Sequence, residues 1–206
     1  MTSSLETPSR RELNKAATRQ SIIVAAMQLA EKRGIGGFTV EEIAEAVGIS
    51  RRTFFNYFSS AEEAIAAPTY GFLDAALERF RERPKGEPLL ESVIQILLAI
   101  ADNEFIEPMA QSFLVSHGNE PAIRYQLQAF DECSDKIVAA IREREGGSLD
   151  EVYVRALAGS VMSCGKAALE VWLAERRGDL SPSSLDRLRE LLMASFAHLK
   201  SGFAAR

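Results

Sequence analysis

Histidine, cysteine and tryptophan are scarce in this chain: two, two and one among 206 residues. A metal centre needs several such side chains a few positions apart, and neither the histidines nor the isolated Cys133 and Cys164 supply that spacing. The cysteines also lack a C-x-x-C arrangement, so they read as reduced, buried thiols of a cytoplasmic protein. No G-x-S-x-G nucleophile turn occurs. The nearest approach to a phosphate-binding loop is "SVMSCGKA" (160–167). Ser160 stands there where the first glycine belongs and Ala167 where Ser or Thr belongs, within a helical pattern and with no preceding strand. An enzyme, a metal and a cofactor are therefore not expected.

Long apolar runs are missing too. The longest, "LLESVIQILLAI" (89–100), is interrupted by Glu91, Ser92 and Gln95 and falls short of the roughly 20 residues a membrane helix needs. The opening "MTSSLETPSRREL" has no hydrophobic signal region. No membrane association is expected. Strands are equally absent, since no segment alternates apolar and polar residues at period two.

Helical periodicity fills almost the whole chain, and predicts an all-α protein of about nine helices. Residues 1–14, rich in Ser, Thr and charge, read as a mobile N-terminal arm. A first helix is expected from about Lys15 to Arg33, stopped by glycines 34, 36 and 37. Thr39 and Glu42 have the spacing of a capping box for a short second helix that ends at Gly48. Ser50 can cap a third short helix reaching about Phe58. A fourth runs from about Ser60 to Arg83, and further helices cover about 88–102, 104–117, 120–145, 149–177 and 182–203. Ser148 with Glu151 reads as another capping box, and Ser181-Pro182 as a cap followed by proline at the first helical position.

Charge is divided unevenly. The whole chain carries −5, yet up to Phe58 eight lysines and arginines face six carboxylates, leaving −7 for the rest. A mildly basic front suits an anionic partner. The stretch "VGISRRTFFNYF" (47–58) sharpens that expectation. Two short helices joined by a glycine-containing turn make a helix-turn-helix. With Ile43, Ala44, Val47, Ile49, Phe54 and Phe58 turned inward, Arg51, Arg52, Phe55 and Asn56 remain on outer faces. Arginine pairs with guanine, asparagine with adenine, and an aromatic edge meets the thymine methyl. Thr39, at a helix start, and the phenol of Tyr57 suit phosphates, and Lys15 and Arg19 can reach the DNA backbone from the first helix.

These residues carry a resemblance. "FTVEEIAEAVGISRRTFFNYFSSAEEAI" (38–65), with the lead-in "ATRQSIIVAAMQLAEKRGIGG", resembles the DNA-binding signature of the TetR/AcrR family of transcriptional regulators, over roughly residues 15 to 66. The resemblance implies a helix-turn-helix DNA-binding domain at 15–59 and a helical effector-binding and dimerisation domain at 60–206. It places Arg51, Arg52, Thr53, Phe55 and Asn56 at base-facing or groove-wall positions, with Thr39 and Tyr57 at phosphate positions and the cap Ser50 as a further DNA-binding candidate. One departure is Ala61, where the family usually has a phosphate-touching lysine.

The resemblance also implies a ligand-responsive repressor that binds a palindromic operator as a homodimer. The last two long helices would form its four-helix interface: a row of small residues, Gly159, Ser163 and Ala167, and the face carrying Leu188, Leu192, Phe196 and Leu199. An effector cavity, largely apolar, is expected among the middle helices. Phe105, Met109 and Phe113 share one helical face as a candidate wall, with His117, Tyr125 and Trp172 as further candidates. The fourth helix would be the lever between cavity and reading head. The alternative is a helical small-molecule sensor or scaffold without sequence-specific DNA binding, which salt-dependent, sequence-selective binding would separate from a regulator.

Overall fold

The computed structural model describes residues 9–204 except 101–102 and 177–178, and leaves out the side chains of residues 100, 103–105 and 176. Among the described residues every regular element is an α-helix, nine in all. α1 (Arg10–Arg33) starts five residues before the Lys15 expected from periodicity. Its start is set by a capping box: Ser9 Oγ accepts the Glu12 N–H at 3.3 Å, and the Glu12 carboxylate accepts the Ser9 N–H at 2.7 Å. Residues 10–14 of the expected arm 1–14 therefore belong to the helix, and residues 1–8 lie outside the described residues.

α2 (Val40–Val47) begins with the expected Thr39–Glu42 box. Glu42 also meets the Arg33 guanidinium at 2.6 Å, clamping the end of α1 to the start of α2. The Arg33 hydrogen bond and the Thr39 N–H hold the Glu42 carboxyl below the usual carboxylate range. Gly37 lets this connection pass close to α1, since a Cβ there would lie 2.3 Å from the Arg33 carbonyl oxygen. Gly48 ends α2 at φ 73°, in the left-handed region that glycine adopts without penalty.

α3 (Arg51–Phe55) is shorter than the helix expected through Phe58. The chain leaves it early because Ser60 is extended (φ −156°) to cap α4 (Ala61–Glu82), its Oγ accepting the Glu63 N–H. Phe54 and Phe58 still share one buried face, with ring centroids 6.1 Å apart. Pro68 lies inside α4 and contributes no N–H to its hydrogen-bond ladder.

α5 (Leu89–Ile100), α6 (Asn103–Ser116), α7 (Glu120–Glu145), α8 (Glu151–Arg176) and α9 (Pro182–Lys200) complete the order. α8 is capped by Asp150, which accepts the Tyr153 N–H at 3.0 Å. The expected cap Ser148 is otherwise engaged: its hydroxyl donates back to the Glu145 carbonyl at the end of α7. Ser181 caps α9 with Pro182 at its first position, as the sequence indicates.

Two apolar cores result. One joins α1, α2 and α3 through Ile22, Ala26, Ile43, Phe54 and Phe58, and extends to Ala64, Ile65 and Ala67 at the start of α4. The other fills the space between the rest of α4 and α5–α9, around Met109, Ile141, Leu169, Trp172 and Leu188. α4 belongs to both and packs mainly on α7 and α6, while α8 packs on α9. At the far end, the buried Arg144 guanidinium donates to Ser92 Oγ (2.9 Å) and to the carbonyls of Pro84 and Glu87, and lies 5.3 Å from the Phe80 ring centroid. This ties the α4–α5 connection to α7.

Candidate nucleic-acid interface and effector cavity

The end of α3 is built to present polar and aromatic groups outward. Burying Phe54 and Phe58 anchors the short helix on α1, since apolar area removed from water outweighs the weak intrinsic stability of a five-residue helix. Ser50 Oγ accepts the Thr53 N–H at 3.0 Å and lies 2.8 Å from Thr53 Oγ1, so both hydroxyls first serve the helix start. Phe55 is 44% exposed and stands edge-on to Phe54 at 5.5 Å. Arg51 is braced from two sides: its Nε meets Glu41 Oε1 at 2.9 Å, and its guanidinium lies 5.4 Å from the Phe55 ring centroid. That pair is exposed and screened by salt, so it orients Arg51 more than it stabilises the fold.

Arg52 and the Asn56 side chain are exposed and have no ion pair or hydrogen bond among the described residues. Their donors are free for base edges. The Glu41–Arg51 contact sets the first turn of α2 beside the first turn of α3, which brings exposed Thr39 to the same side. Tyr57 is half-buried against the head core. Lys15 is exposed on α1, and Arg19 is laid 4.8 Å over the Phe58 ring centroid, at the rim of the head rather than at the end of α3. Ala61 occupies the first position of α4.

Behind the head lies a cavity of about 100 Å³ between α4 and α5–α9. Its walls include Phe72 and Leu77 of α4, Met109 of α6, Phe130 and Ile137 of α7 and Met162 of α8. Every lining side chain is apolar apart from the thiol of Cys133, and burial pushes that thiol's pKa up to about 11. Cys133 and Cys164 are both free and buried.

Of the six candidate wall residues, Met109 lines the cavity. Phe113 stands one layer out, edge-on to Phe130 with ring centroids 5.9 Å apart. The side chain of Phe105 lies outside the described residues. His117 is exposed at the end of α6, where the helix has already left the cavity. Trp172 is fully buried, but its indole N–H donates to the carbonyl and hydroxyl oxygens of Ser184, which locks it between α8 and α9. Tyr125 points away from the cavity, its hydroxyl 3.2 Å from Ser59 Oγ at the end of the α3–α4 turn.

The residues expected at a dimer interface separate into two groups. Ser163 and Ala167 are exposed and Gly159 partly so, along one face of α8. Leu188, Leu192 and Phe196 are instead at most 5% exposed, in the core of the same protomer, and Leu199 packs partly buried against that core. Their apolar periodicity is used up by α8 and the cavity; the outward face of α9 carries Glu190, Ala194 and Ala197.

Sequence reasoning missed a buried polar cluster. Gln126 Oε1 accepts from Thr69 Oγ1 at 2.6 Å, its amide donates to Ser112 Oγ at 2.7 Å and Ser116 Oγ at 3.1 Å, and Ser112 Oγ donates to the Ile65 carbonyl at 2.6 Å. The signal was there: Gln126 sits in the apolar row Ala122, Gln126, Phe130, Cys133, where a polar side chain requires partners.

The fold and the exposed end of α3 define a helix-turn-helix DNA-binding protein with an appended helical ligand-cavity unit. Comparison with known proteins agrees. Residues 22–67 match the family of bacterial regulatory proteins of the tetR type, and residues 118–204 match the MftR C-terminal domain family. The HTH-type transcriptional regulator TcmR of Streptomyces glaucescens is 29% identical over 205 residues, covering 92% of this chain and 90% of its own. Among solved structures, the TetR-family repressor FadR of Thermus thermophilus, in complex with lauroyl-CoA, has a TM-score of 0.58 at 22% identity, covering 91% of this chain and 96% of its own. The fatty acid degradation regulator FadR of Bacillus halodurans gives 0.57 at 16%, covering 92% and 97%. The chain belongs to the TetR family of transcriptional regulators.

Proposed function

We propose that this protein is a cytoplasmic, homodimeric repressor that binds a palindromic operator and releases it when an apolar effector enters the cavity. The observation that carries the reading is the end of α3, where Arg52 and Asn56 are exposed and, among the described residues, unpaired, beside Phe55 and the braced Arg51. Residues 15–59, completed by the first turns of α4, serve as the reading head, and residues 60–206 bind effector and pair the protomers. Arg51, Arg52, Thr53, Phe55 and Asn56 meet the major groove, while Thr39, Tyr57, Lys15 and Arg19 meet the backbone. The hydroxyls of Ser50 and Thr53 shape the start of α3 before any DNA contact. The protein binds and releases; it carries out no reaction of its own.

Pairing of two protomers uses the small-residue face of α8, Gly159, Ser163 and Ala167, which lets a partner helix approach closely. The exposed Val152 and Val171 extend that face. A twofold dimer then places two heads on half-sites one helical turn apart or multiples of it. The cavity, apolar apart from the Cys133 thiol, favours an effector with an apolar body, in keeping with the acyl chain carried by the ligand of the Thermus relative. By linkage, effector weakens operator binding by the factor by which operator weakens effector binding.

The test is selection of bound sequences from a random duplex pool by the native protein and by Arg52→Ala. A palindrome from the native protein, relaxed at one position of each half-site by the variant, is the expected result. Enrichment of no sequence would overturn the reading.

A further inference from the structure

We infer that α7 is the helix that carries the state of the cavity to the reading head, with Tyr125 and Gln126 as its two points of contact; the inference rests on the regulator reading above. Phe130, Cys133, Ile137 and Ile141 recur along one face of α7, and all four line the cavity. One turn earlier on that face comes Gln126, 2% exposed. It joins Thr69 of α4 to Ser112 and Ser116 of α6, and Ser112 passes the connection on to the carbonyl of Ile65. Ile65 belongs to the core of the reading head, so this cluster sits where α4 leaves that core.

Tyr125 makes the second contact. Both the Ser59 N–H and the single Ser59 hydroxyl hydrogen go to the Glu63 carboxylate, each at 2.6 Å. In the 3.2 Å contact between Ser59 Oγ and Tyr125 the phenol is therefore the donor. Ser59 directly follows Phe58, whose ring anchors α3 to the head. Among the described residues this is the one hydrogen bond that runs from α7 to residues 51–60.

Adjacent residues of one helix thus hold the head at two places: the turn after α3, and the stretch of α4 that bridges the two cores. α4 by itself is a weak strut, because Pro68 deletes a backbone hydrogen bond within that stretch. Two supports define an angle where one defines only a tether. A molecule that displaces Phe130 or Cys133 moves the helix one turn from Gln126, in a buried cluster whose donors and acceptors are already matched. Such a cluster holds one arrangement or breaks, rather than yielding gradually. The sequence reading gives the lever to α4; the hydrogen bonds give the controlling role to α7, with α4 as the element it steers.

The test uses the full chain and the duplex recovered by selection. Dissociation constants are measured for the native protein, Ser59→Ala, Tyr125→Phe and the double variant, with thermal midpoints alongside. Each single change is expected to weaken operator binding about three- to tenfold, the worth of one hydrogen bond, and the double change no further. Base preference stays as in the native protein, and the thermal midpoint falls only as far as the lost hydrogen bond requires, further in Ser59→Ala, which also releases the Glu63 carboxylate. Amide exchange across residues 122–130 is expected to slow when the duplex binds, since coupling is reciprocal. Native affinity in Tyr125→Phe, single effects that multiply in the double variant, or unchanged exchange would each overturn the inference. Failure of the native protein to enrich any duplex instead overturns the regulator reading, and this inference with it.

Discussion

The indole N–H of Trp172 donates to both oxygens of Ser184, at 3.0 Å each, joining the last third of α8 to the first turn of α9. Both residues are fully buried. Trp172→Phe removes the donor, strands the two oxygens and opens a void beside them. A loss of about 2–4 kcal/mol is expected, measured as a lower urea midpoint. Effector affinity per folded molecule should hold, because Trp172 does not line the cavity.

Glu87 is held by Arg83 and Ser92, and these hydrogen bonds lower its carboxyl pKa from the ordinary 4.5 to about 2. A depressed carboxylate contributes stability that is present above the ordinary value and lost as pH falls towards the folded value. The difference in urea midpoint between the native protein and Glu87→Gln should therefore be constant near neutrality and shrink between pH 4.5 and about 2. A difference that does not change across this window would remove the carboxylate from the account.

Ala61 stands at the first turn of α4, where a lysine would add a phosphate contact. Ala61→Lys should steepen the slope of log affinity against log salt by about 0.9 for each of the two protomers, about 1.8 for the dimer. It should leave the selected sequence unaltered, since phosphate contacts position and base contacts specify. An unchanged slope would mean that this end of α4 stays clear of the DNA backbone.

Gly159 has nothing within 4 Å of a Cβ built on it, so the protomer itself tolerates a side chain there. Within one protomer Gly159→Leu should even gain up to about 1 kcal/mol of helix stability. If α8 meets a symmetry mate at this point, the same change holds the two helices apart. Light scattering at micromolar concentration is then expected to report monomers for the variant and dimers for the native chain.

What could be read in the sequence follows the range of the interaction. Thr39 with Glu42, Gly48, the Phe54–Phe58 face and the Ser181-Pro182 start all act within four residues, and the structure has them as read. The Ser9–Glu12 box has the same spacing, but its charged surroundings suggested an arm. Leu188, Leu192 and Phe196 form an apolar stripe in either outcome. Periodicity shows that a stripe is covered, and not whether α8 of the same protomer or of a second one covers it. Tyr125 and Trp172 were misplaced for a related reason. Each has an apolar ring and a polar edge, and the partner that decides its direction is 66 residues away in one case and 12 in the other.

The cavity walls offer no polar side-chain group except one buried thiol. Such a site cannot check a molecule's functional groups; it can only gauge its bulk. Each buried methylene adds about 0.8 kcal/mol, close to fourfold in affinity, until the space is full, and beyond that the next one must prise the helices apart. Along a homologous series, affinity should climb in even steps to a sharp optimum, and the length at which helix displacement begins should also be the length at which the operator is released.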